Sequence, residues 1–459
     1  MRNFKKTLIS ALAISLILVS SELKCQNQKA DGYKGLWASS GKSSGYGFRY
    51  SGGLATSSAQ HNPVAIYSSA AQKTYFVYGG TSDEENSHLQ IMVSYYDHKT
   101  KMVPKPVIVY DKMGVNDPQD NATISIDSEG YIWVFVSGMG RTRPGFIFKG
   151  SKPWLIDSFD KIMEGELVFP QPWHIDGDGF ILMYTKFLKG RELYWSTSSD
   201  GKTWSAAQKL AGMGGHNQIT NYNGKKLVSV FSYLPDGNGE KQTNLYLLQT
   251  DDLGKSWKTV DNKTVQTPLT NIHNEAMIKD YESEGKLVYM KDLNFDSEGN
   301  PVILAIISHD FRPGPGGDPR EWMIIHWKDN KWNFNKICES THNHDMGSLY
   351  IEGKEWRVIG PTQPGPQKYG MGGEMALWES SDEGVSWNKS FDITTNSSKN
   401  NSYARRPVNA AKGFYSFWSD GDAEKISRVN LYFTDESCKK VWVLPYDMKN
   451  EFERPVRIK

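Results

Sequence analysis

The sequence has few cysteines, almost no net charge and no long apolar segment. It carries 3 cysteines in 459 residues and a formal net charge of +1, and its N-terminal apolar run extends only from Leu8 to Val19. The balanced charge argues against a surface that coats nucleic acid or another polyanion. The run is too short to cross a membrane, so we expect no transmembrane segment. Cys338 and Cys438 fall in different structural repeats, and we expect two separate thiols rather than a disulfide.

The first residues have the pattern of a secretory signal. A basic start precedes the apolar run, so the sequence predicts export to the periplasm or the cell surface. Cys25 follows the run, but the preceding Glu22-Leu23-Lys24 is a poor lipoprotein signal, and we expect no lipid anchor there. The predicted organisation is a signal peptide over 1–24, an N-terminal lead-in over 25–58 and a single domain over 59–459.

Amphipathic helical patterns are scarce, whereas short β-branched and aromatic runs bounded by turn residues recur along the chain. A polar tip that leads into a short apolar strand repeats at intervals of roughly 45–70 residues. The tips are Gln60-His61-Asn62, Asp120-Asn121, Pro172-Trp173-His174, His216-Asn217, His273-Asn274, His342-Asn343-His344 and Arg405-Arg406. They predict the inner strands of an all-β, seven-bladed β-propeller with four-stranded antiparallel blades.

A second repeat supports this architecture. Residues 250–257 and 380–387 share the pattern Ser/Thr-x-Asp-x-Gly-x-Ser/Thr-Trp, and residues 198–204 are a shortened copy. In such an Asp-box the aspartate bonds turn amides, the glycine takes a positive φ and the tryptophan packs under the hairpin. These turns join third to fourth strands, away from the axial mouth, so they indicate the fold and not the chemistry.

The start of an inner strand and the loop between second and third strands share one face of a propeller, so the polar tips should converge on an axial mouth. Most of the ten histidines fall there, which favours a ligand site. For any single histidine, a structural role is an equal alternative. The second-to-third-strand loops add further candidates, among them Arg191. The residues predicted to bind substrate are His61, Asn62, Asn121, Arg141, Arg143, His174, Asn217, Asn274, Arg312, Arg320, His342, His344 and Arg405.

Histidine and arginine outnumber carboxylates at this mouth, which does not suit the paired carboxylates of ordinary glycosidases. A uronate lyase must neutralise the sugar carboxylate, remove the C5 proton and protonate the leaving oxygen, and arginine, histidine or tyrosine can do this. We take His216 and His273 as base and acid candidates, with Arg406 and Tyr369 in the catalytic set.

We expect no required cofactor and no catalytic transition metal, because the sequence has no His-Glu-x-x-His motif. His344-Asp345 and the other axial histidines could still hold a calcium ion. The expected partner is a glycan or oligosaccharide bound by a monomer, not a nucleic acid.

Several segments resemble the BNR-repeat carbohydrate-active propellers. They are the His-Asn-Pro tip, residues 126–132, the Asp-boxes and residues 431–446. That family includes ulvan lyases, and lyases and hydrolases that remove terminal L-rhamnose linked α-1,4 to D-glucuronate. The match to ulvan lyases fails at their catalytic positions. Asp120-Asn121-Ala122 stands where they carry His-Asn-Asn-Pro, and Phe169-Pro170 and Tyr184-Thr185 replace their Tyr-Pro and Tyr-Arg.

The rhamnose–glucuronate group is more similar, through residues 50–56 and 73–80. This resemblance implies an exo-acting lyase that removes terminal L-rhamnose from D-glucuronate on arabinogalactan-type plant glycans by β-elimination. Hydrolase members use a histidine on the posterior face, and the corresponding hairpin here has Gln72, which cannot act as acid or base. An α-L-rhamnosidase acting on the same linkage and a non-catalytic carbohydrate-binding propeller are the alternatives.

Overall fold

The computed structural model describes residues 26–39, 42–44, 47–48, 51–53, 58–81 and 89–459. The predicted signal peptide, Cys25 and part of the predicted lead-in lie outside the described residues, as does most of the 50–56 segment. Within the part described, no helix is long and apolar enough to cross a membrane. The predicted domain limits stay a prediction.

The described chain forms seven antiparallel blades, which confirms the predicted seven-bladed propeller. In blades one to three, from the inner strand outwards, the strands are Ala65–Ser68, Lys73–Gly80, Gln90–Asp97 and Val107–Asp111; Ala122–Ile126, Ile132–Val136, Gly145–Gly150 and Phe159–Gly165; and Val168–Ile175, Gly179–Phe187, Arg191–Ser198 and Gln208–Ala211. Gln28–Lys29 pairs on the outside of blade one.

The remaining blades continue in the same order around the axis. Blade four has Gln218–Tyr222, Leu227–Tyr233, Thr243–Thr250, Trp257–Lys258 and Thr264–Val265, with Met277–Lys279 added beside its third strand; blade five has Leu287–Phe295, Pro301–Ser308, Arg320–Lys328 and Lys331–Ser340; blade six has Ser348–Glu352, Glu355–Gln363, Glu374–Ser380 and Asn388–Asp392; blade seven has Asn400–Arg405, Ser416–Gly421, Leu431–Thr434, Val441–Val443 and Val456–Arg457.

Short elements lie in the loops between strands and outside the blades. Three 3-10 turns cover Pro118–Asp120, Pro235–Gly237 and Pro315–Gly317. Outside the blades, Gly35–Ser39 pairs with Ser51–Gly53 and with Ser427–Val429, Lys42–Ser44 pairs with Gly47–Phe48, and Val103–Pro104 pairs with Phe452–Glu453.

The core lies between successive blades rather than within one sheet. The second strand of blade five, Pro301–Ser308, is buried along its whole length because neighbouring blades cover both of its faces. It therefore reads as a continuous apolar run instead of an alternating one. Between blades one and two, Ile91 and Val93 pack in one cluster with Ile124 and Val134.

Three of the seven predicted inner strands are wrong in position. In blade three the inner strand starts at Val168, so His174 lies near its far end. In blade five the inner strand is Leu287–Phe295, whereas Met277–Lys279 pairs with the third strand of blade four. In blade seven Arg405 ends the inner strand Asn400–Arg405. A polar tip does not locate the start of these inner strands, because the turns at both of their ends are polar. In blade five, Lys291 and Asp292 also interrupt the apolar pattern of the inner strand.

The Asp-box turns have the predicted geometry and place. Asp382 accepts hydrogen bonds from the Ser386 hydroxyl at 2.6 Å and from the Ser386 and Val385 amides. These bonds, that of the hydroxyl first, lower the pKa of Asp382 to about 2. Gly384 has φ +80° and accepts a hydrogen bond from the indole of Trp387. Cys338 and Cys438 are both free thiols, as expected.

Candidate functional site

A cavity of about 90 Å³ opens on the axis at the end where most inner strands begin. Residues from every blade contribute to its wall. The lining comprises Ser58, Ala59, Gln60, Gln119, Phe169, Arg191, Asn217, Ile219, Gly239, Glu240, Gln242, Tyr289, Met290, Lys291, His344, Met346 and Tyr403. Closure of the chain into a ring therefore brings together polar groups that are distant in sequence, as expected for a ligand pocket with a few convergent polar groups.

Arg191 begins the third strand of blade three and presents its guanidinium to this cavity. Its Nη1 donates a hydrogen bond to Asn217 Oδ1 at 3.0 Å, and the guanidinium carbon lies 5.6 Å from the ring centre of Phe169. Gly239 packs beside the guanidinium, and a Cβ built there would lie at ordinary van der Waals distance from it, 3.5 Å. Burial lowers the pKa of Arg191, but an arginine stays charged in proteins.

No carboxylate within the described residues comes within 4.0 Å of the Arg191 guanidinium. The arginines that the sequence pointed to are engaged differently. Arg143 pairs with Asp117 and Asp120, Arg312 with Asp310, Arg320 with Asp318, Arg406 with Asp292, and Arg141 lies 3.7 Å from Glu166. Arg191 is thus a cation in the cavity wall that is available for an acidic ligand.

Glu240 and His344 face each other across the mouth of blade five. Glu240 lies in the loop between the second and third strands of blade four, and His344 precedes the inner strand of blade six. His344 Nε2 is 3.5 Å from Glu240 Oε2. Tyr289 supports both residues, because its hydroxyl donates to the Glu240 main-chain carbonyl at 2.7 Å and its ring lies 5.3 Å from the imidazole. A carboxylate next to an imidazole in a pocket is a common arrangement for proton transfer.

Lys291 adds an ammonium group to the same wall. Its Nζ donates to the main-chain carbonyl of Asn343 at 2.5 Å. Asn343 is itself held, since Arg320 Nε donates to Asn343 Oδ1 at 3.1 Å and Asn343 Nδ2 donates to the carbonyl of Asp310 at 2.7 Å. Burial lowers the pKa of Lys291 to about 7, against the opposing effect of Asp345.

Buried amides tie the inner strands together at the axis. Asn62 Nδ2 donates to the Thr220 carbonyl at 2.8 Å, which joins blades one and four. Gln171 Oε1 accepts from the Thr220 amide at 2.7 Å, and Gln171 Nε2 donates to the Gln218 carbonyl at 2.9 Å. These bonds satisfy strand groups that would otherwise be buried without partners. They hold the positions from which the lining residues project.

The two histidines proposed for proton transfer are not placed for that role. His216 is fully buried, its Nδ1 is 3.0 Å from the Ser232 carbonyl and its Nε2 accepts from the Met213 amide at 3.2 Å. Both ring nitrogens are therefore used by the main chain, and burial lowers the pKa of His216 to about 4. His273 lies in the segment outside blade four, with 75% of its side chain exposed, 3.8 Å from Asp280.

Other predicted substrate-binding residues divide into lining and supporting positions. Asn217 and His344 line the cavity, and His61 lies behind it with Nε2 3.1 Å from the Gln119 carbonyl and its ring edge-on to Phe169. His342 accepts the His344 amide through Nδ1, and Arg405 donates to the Ser58 carbonyl. Asn121 Oδ1 accepts from the Ala122 amide.

The remaining predicted residues lie away from the cavity. His174 is 3.5 Å from Asp176 at the opposite end of blade three, and Asn274 donates to the Asn271 carbonyl outside blade four. Tyr369 does not line the cavity either. Gln72, the alternative posterior residue, lies at the far hairpin of blade one, where its carbonyl accepts from the His98 amide at 3.0 Å.

Sequence reasoning missed Glu240, Lys291, Tyr289 and Phe169. Glu240 follows Asp236-Gly237-Asn238-Gly239 between two strands, so the loop rule that found Arg191 could have found it. Lys291 left a signal too, as a basic residue within an otherwise apolar strand. Among the residues described, no group of three or more His, Cys, Asp or Glu side chains could hold a metal ion. Asp345, the expected calcium ligand, instead accepts the His342 and Gly372 amides.

Comparisons with known proteins agree with this fold. Residues 65–340 match the family described as "BNR repeat-containing family member". A curated ulvan lyase of Nonlabens ulvanivorans is 22% identical over 168 residues, a match that covers 34% of this chain and 31% of that protein. The matched part is thus about a third of the relative's length.

Solved structures show the same architecture. A PL25 ulvan lyase bound to a GlcA(1-4)Rha3S saccharide has a TM-score of 0.68 at 15% identity, over 89% of this chain and 96% of that one. The polysaccharide lyase Uly1 has a TM-score of 0.62 at 11% identity, over 88% of this chain and 99% of that one. At these identities the likeness is one of fold.

Proposed function

The chain belongs to the BNR repeat-containing family, and from this premise we propose that it is a glycan lyase that cleaves next to a uronate by β-elimination in the axial cavity. The observation that carries the proposal is the position of Arg191. It lies in the cavity wall with Asn217 as hydrogen-bond partner and, within the described residues, without a carboxylate inside 4.0 Å. A planar guanidinium beside an amide suits the carboxylate of a uronate, which it can bind through two parallel hydrogen bonds.

Neutralising that carboxylate makes the adjacent C5 proton more acidic. The negative charge that develops on the carboxylate as the proton leaves would be stabilised by Arg191, which is already in place. His344, beside Glu240, is a group of the right type to donate a proton to the leaving oxygen. The proposed reaction needs no redox step and no cofactor.

We propose more specifically an exo-acting enzyme that removes terminal L-rhamnose linked α-1,4 to D-glucuronate, on arabinogalactan-type plant glycans. A cavity walled by all seven blades suits the end of a chain better than its interior. The structure of the ulvan lyase bound to a GlcA(1-4)Rha3S saccharide supports a binding site for glucuronate and rhamnose. The test substrate proposed below differs from that saccharide in the order of the two sugars and has no sulfate. The protein would work as an exported monomer.

The test is digestion of a rhamnose-capped arabinogalactan, with ultraviolet detection of unsaturated uronate and separate quantification of free rhamnose. The lyase releases rhamnose and leaves an equal amount of unsaturated uronate at the ends of the glycan chains. Rhamnose without unsaturated product would favour the α-L-rhamnosidase, with the posterior hairpin around Gln72 as its site. Binding without release of either product would favour a carbohydrate-binding propeller.

A further inference from the structure

Lys291 lies where the inner strand of blade five departs from regular pairing. The register between Leu287–Phe295 and Pro301–Ser308 shifts between Met290 and Asp292, so Lys291 is the extra residue of a β-bulge. A bulge redirects the side chain that it inserts, and such bulges are frequent next to active sites. Here the redirected side chain lines the axial cavity together with Arg191 and His344.

The surroundings of Lys291 are unusual for a lysine. The residue is 4% exposed, and no carboxylate of the described part comes within 4.0 Å of its Nζ. Its Nζ donates a hydrogen bond to the Asn343 carbonyl, Asp345 acts on it from further away, and the Tyr289 ring centre is 5.7 Å from the Nζ. A buried lysine without a paired carboxylate loses much of its preference for the charged form.

The structure also separates the tasks that a lyase must perform. Arg191 and Asn217 come from blades three and four, whereas Lys291 and His344 come from blades five and six. In D-glucuronate the C5 hydrogen and the C4 oxygen lie on the same side of the ring. A base and an acid for this elimination therefore belong on one wall, and the carboxylate-binding group belongs elsewhere.

We propose that Lys291 is the base that removes the C5 proton of the uronate, with His344 as the acid that protonates the leaving oxygen. This inference rests on the proposed lyase function. The neutral amine of Lys291 takes the C5 proton and becomes an ammonium group. The C4–O4 bond breaks as the C4=C5 double bond forms, and the oxygen that leaves with the rhamnose takes a proton from His344. Exchange with solvent then restores both groups.

The alternative role for Lys291 is a second cation that binds the sugar carboxylate. The two roles predict different results for Lys291→Arg. An arginine keeps the positive charge but cannot be deprotonated, so it can replace a binding cation and not a base. Lys291→Met removes both the charge and the base in a side chain of similar length, and Lys291→Gln is a polar variant should the Met variant unfold.

The experiment measures kcat and KM for formation of unsaturated uronate by the wild-type chain, these variants and Lys226→Met. Lys226 is a half-buried lysine at the opposite end of blade four, so its variant controls for loss of a lysine as such. We expect Lys291→Met and Lys291→Arg to lower kcat by roughly 100- to 10,000-fold with KM within a few-fold of the wild type, as for loss of a general base. Thermal melting of each variant checks folding.

A second measurement is chemical rescue of a Lys291 variant by an added amine. Added ethylamine should restore turnover to Lys291→Ala in proportion to the concentration of the neutral amine, because a small primary amine can occupy the vacated space. Rescue supports the base role, whereas a Lys291→Arg variant that retains more than a tenth of wild-type kcat overturns it. If the wild type itself forms no unsaturated uronate, the lyase function fails, which is a result distinct from an active enzyme that tolerates loss of Lys291.

Discussion

Glu240 Oε2 and His344 Nε2 approach to 3.5 Å although the two residues belong to the neighbourhoods of blades four and six, on either side of blade five. The contact joins a loop between second and third strands to a turn before an inner strand. It therefore forms only when three successive blades are packed in their final order. The Tyr289 hydroxyl of blade five supports this contact by donating a hydrogen bond to the Glu240 main-chain carbonyl.

Glu240→Gln should lower kcat roughly 100-fold with a small change in KM, because a neutral amide holds the imidazole of His344 less strongly and provides less stabilisation of its protonated form. The measurement is the steady-state rate of unsaturated-uronate formation. The double variant with His344→Asn should be little worse than the worse single variant, since the two side chains act as one unit. Fully additive losses would contradict a shared role.

Arg191→Met should raise the KM for a glucuronate-containing substrate by roughly 10- to 100-fold, which corresponds to loss of a charge-assisted hydrogen bond of about 1.5–3 kcal/mol. Arg457→Met, at an exposed position near the C-terminus, is the matched control. A methyl ester of the same uronate should discriminate less between wild type and Arg191→Met. An unchanged KM in the Arg191 variant would place the carboxylate elsewhere.

His216→Ala should destabilise the fold rather than remove the chemistry. The pKa of His216 is lowered from its ordinary 6.5 to about 4, so the neutral ring is favoured in the folded state. Its contribution to stability is fully present above pH 6.5 and is lost as the pH falls towards 4, a difference of about 3 kcal/mol. Unfolding at several pH values checks this, and a pH dependence that is unchanged in the variant would argue against it.

Asp292→Ala should lower the free energy of unfolding by about 3–5 kcal/mol, because Arg406 and the Leu349 amide lose a buried partner. Asp251→Ala breaks an exposed ion pair with Lys258 and should change it by less than about 1 kcal/mol. Denaturant unfolding of both variants compares the two pairs. Similar losses of unfolding free energy in the two variants would mean that the Asp292–Arg406 pair stabilises the fold no more than an exposed ion pair does.

Chelation should leave the activity unchanged, because every step of the proposed reaction is assigned to a side chain. The measurement is turnover after prolonged dialysis against EDTA, with and without added calcium. Loss of activity that calcium restores would show that an ion takes part, and would require revision of the role given to Arg191.

The fold was accessible from the sequence because Asp-box turns and polar tips are local signals. Asn217 and His344 in the cavity follow from the same rule, since Asn217 directly precedes the inner strand Gln218–Tyr222 and His344 lies in the turn before Ser348–Glu352. Lys291 stands out in the sequence as a basic residue in an apolar strand, but its direction into the cavity depends on a bulge that the sequence pattern does not locate. His216 shows the opposite case. A histidine at the predicted position turned out to satisfy the Ser232 carbonyl and the Met213 amide, and only the packed structure distinguishes these two uses.

The two ends of the chain overlap where the ring begins and finishes. Gly35–Ser39 from the N-terminal region hydrogen-bonds to Ser427–Val429 beside blade seven, while Phe452–Glu453 from the C-terminal region hydrogen-bonds to Val103–Pro104, in the connection between the third and fourth strands of blade one. Two strand pairings thus hold the first and last blades together, one made by the N-terminal region and one by the C-terminal region. Loss of either pairing should allow the first and last blades to separate. Because every blade lines the axial cavity, the cavity would then widen at a lower temperature than that at which the sheets unfold.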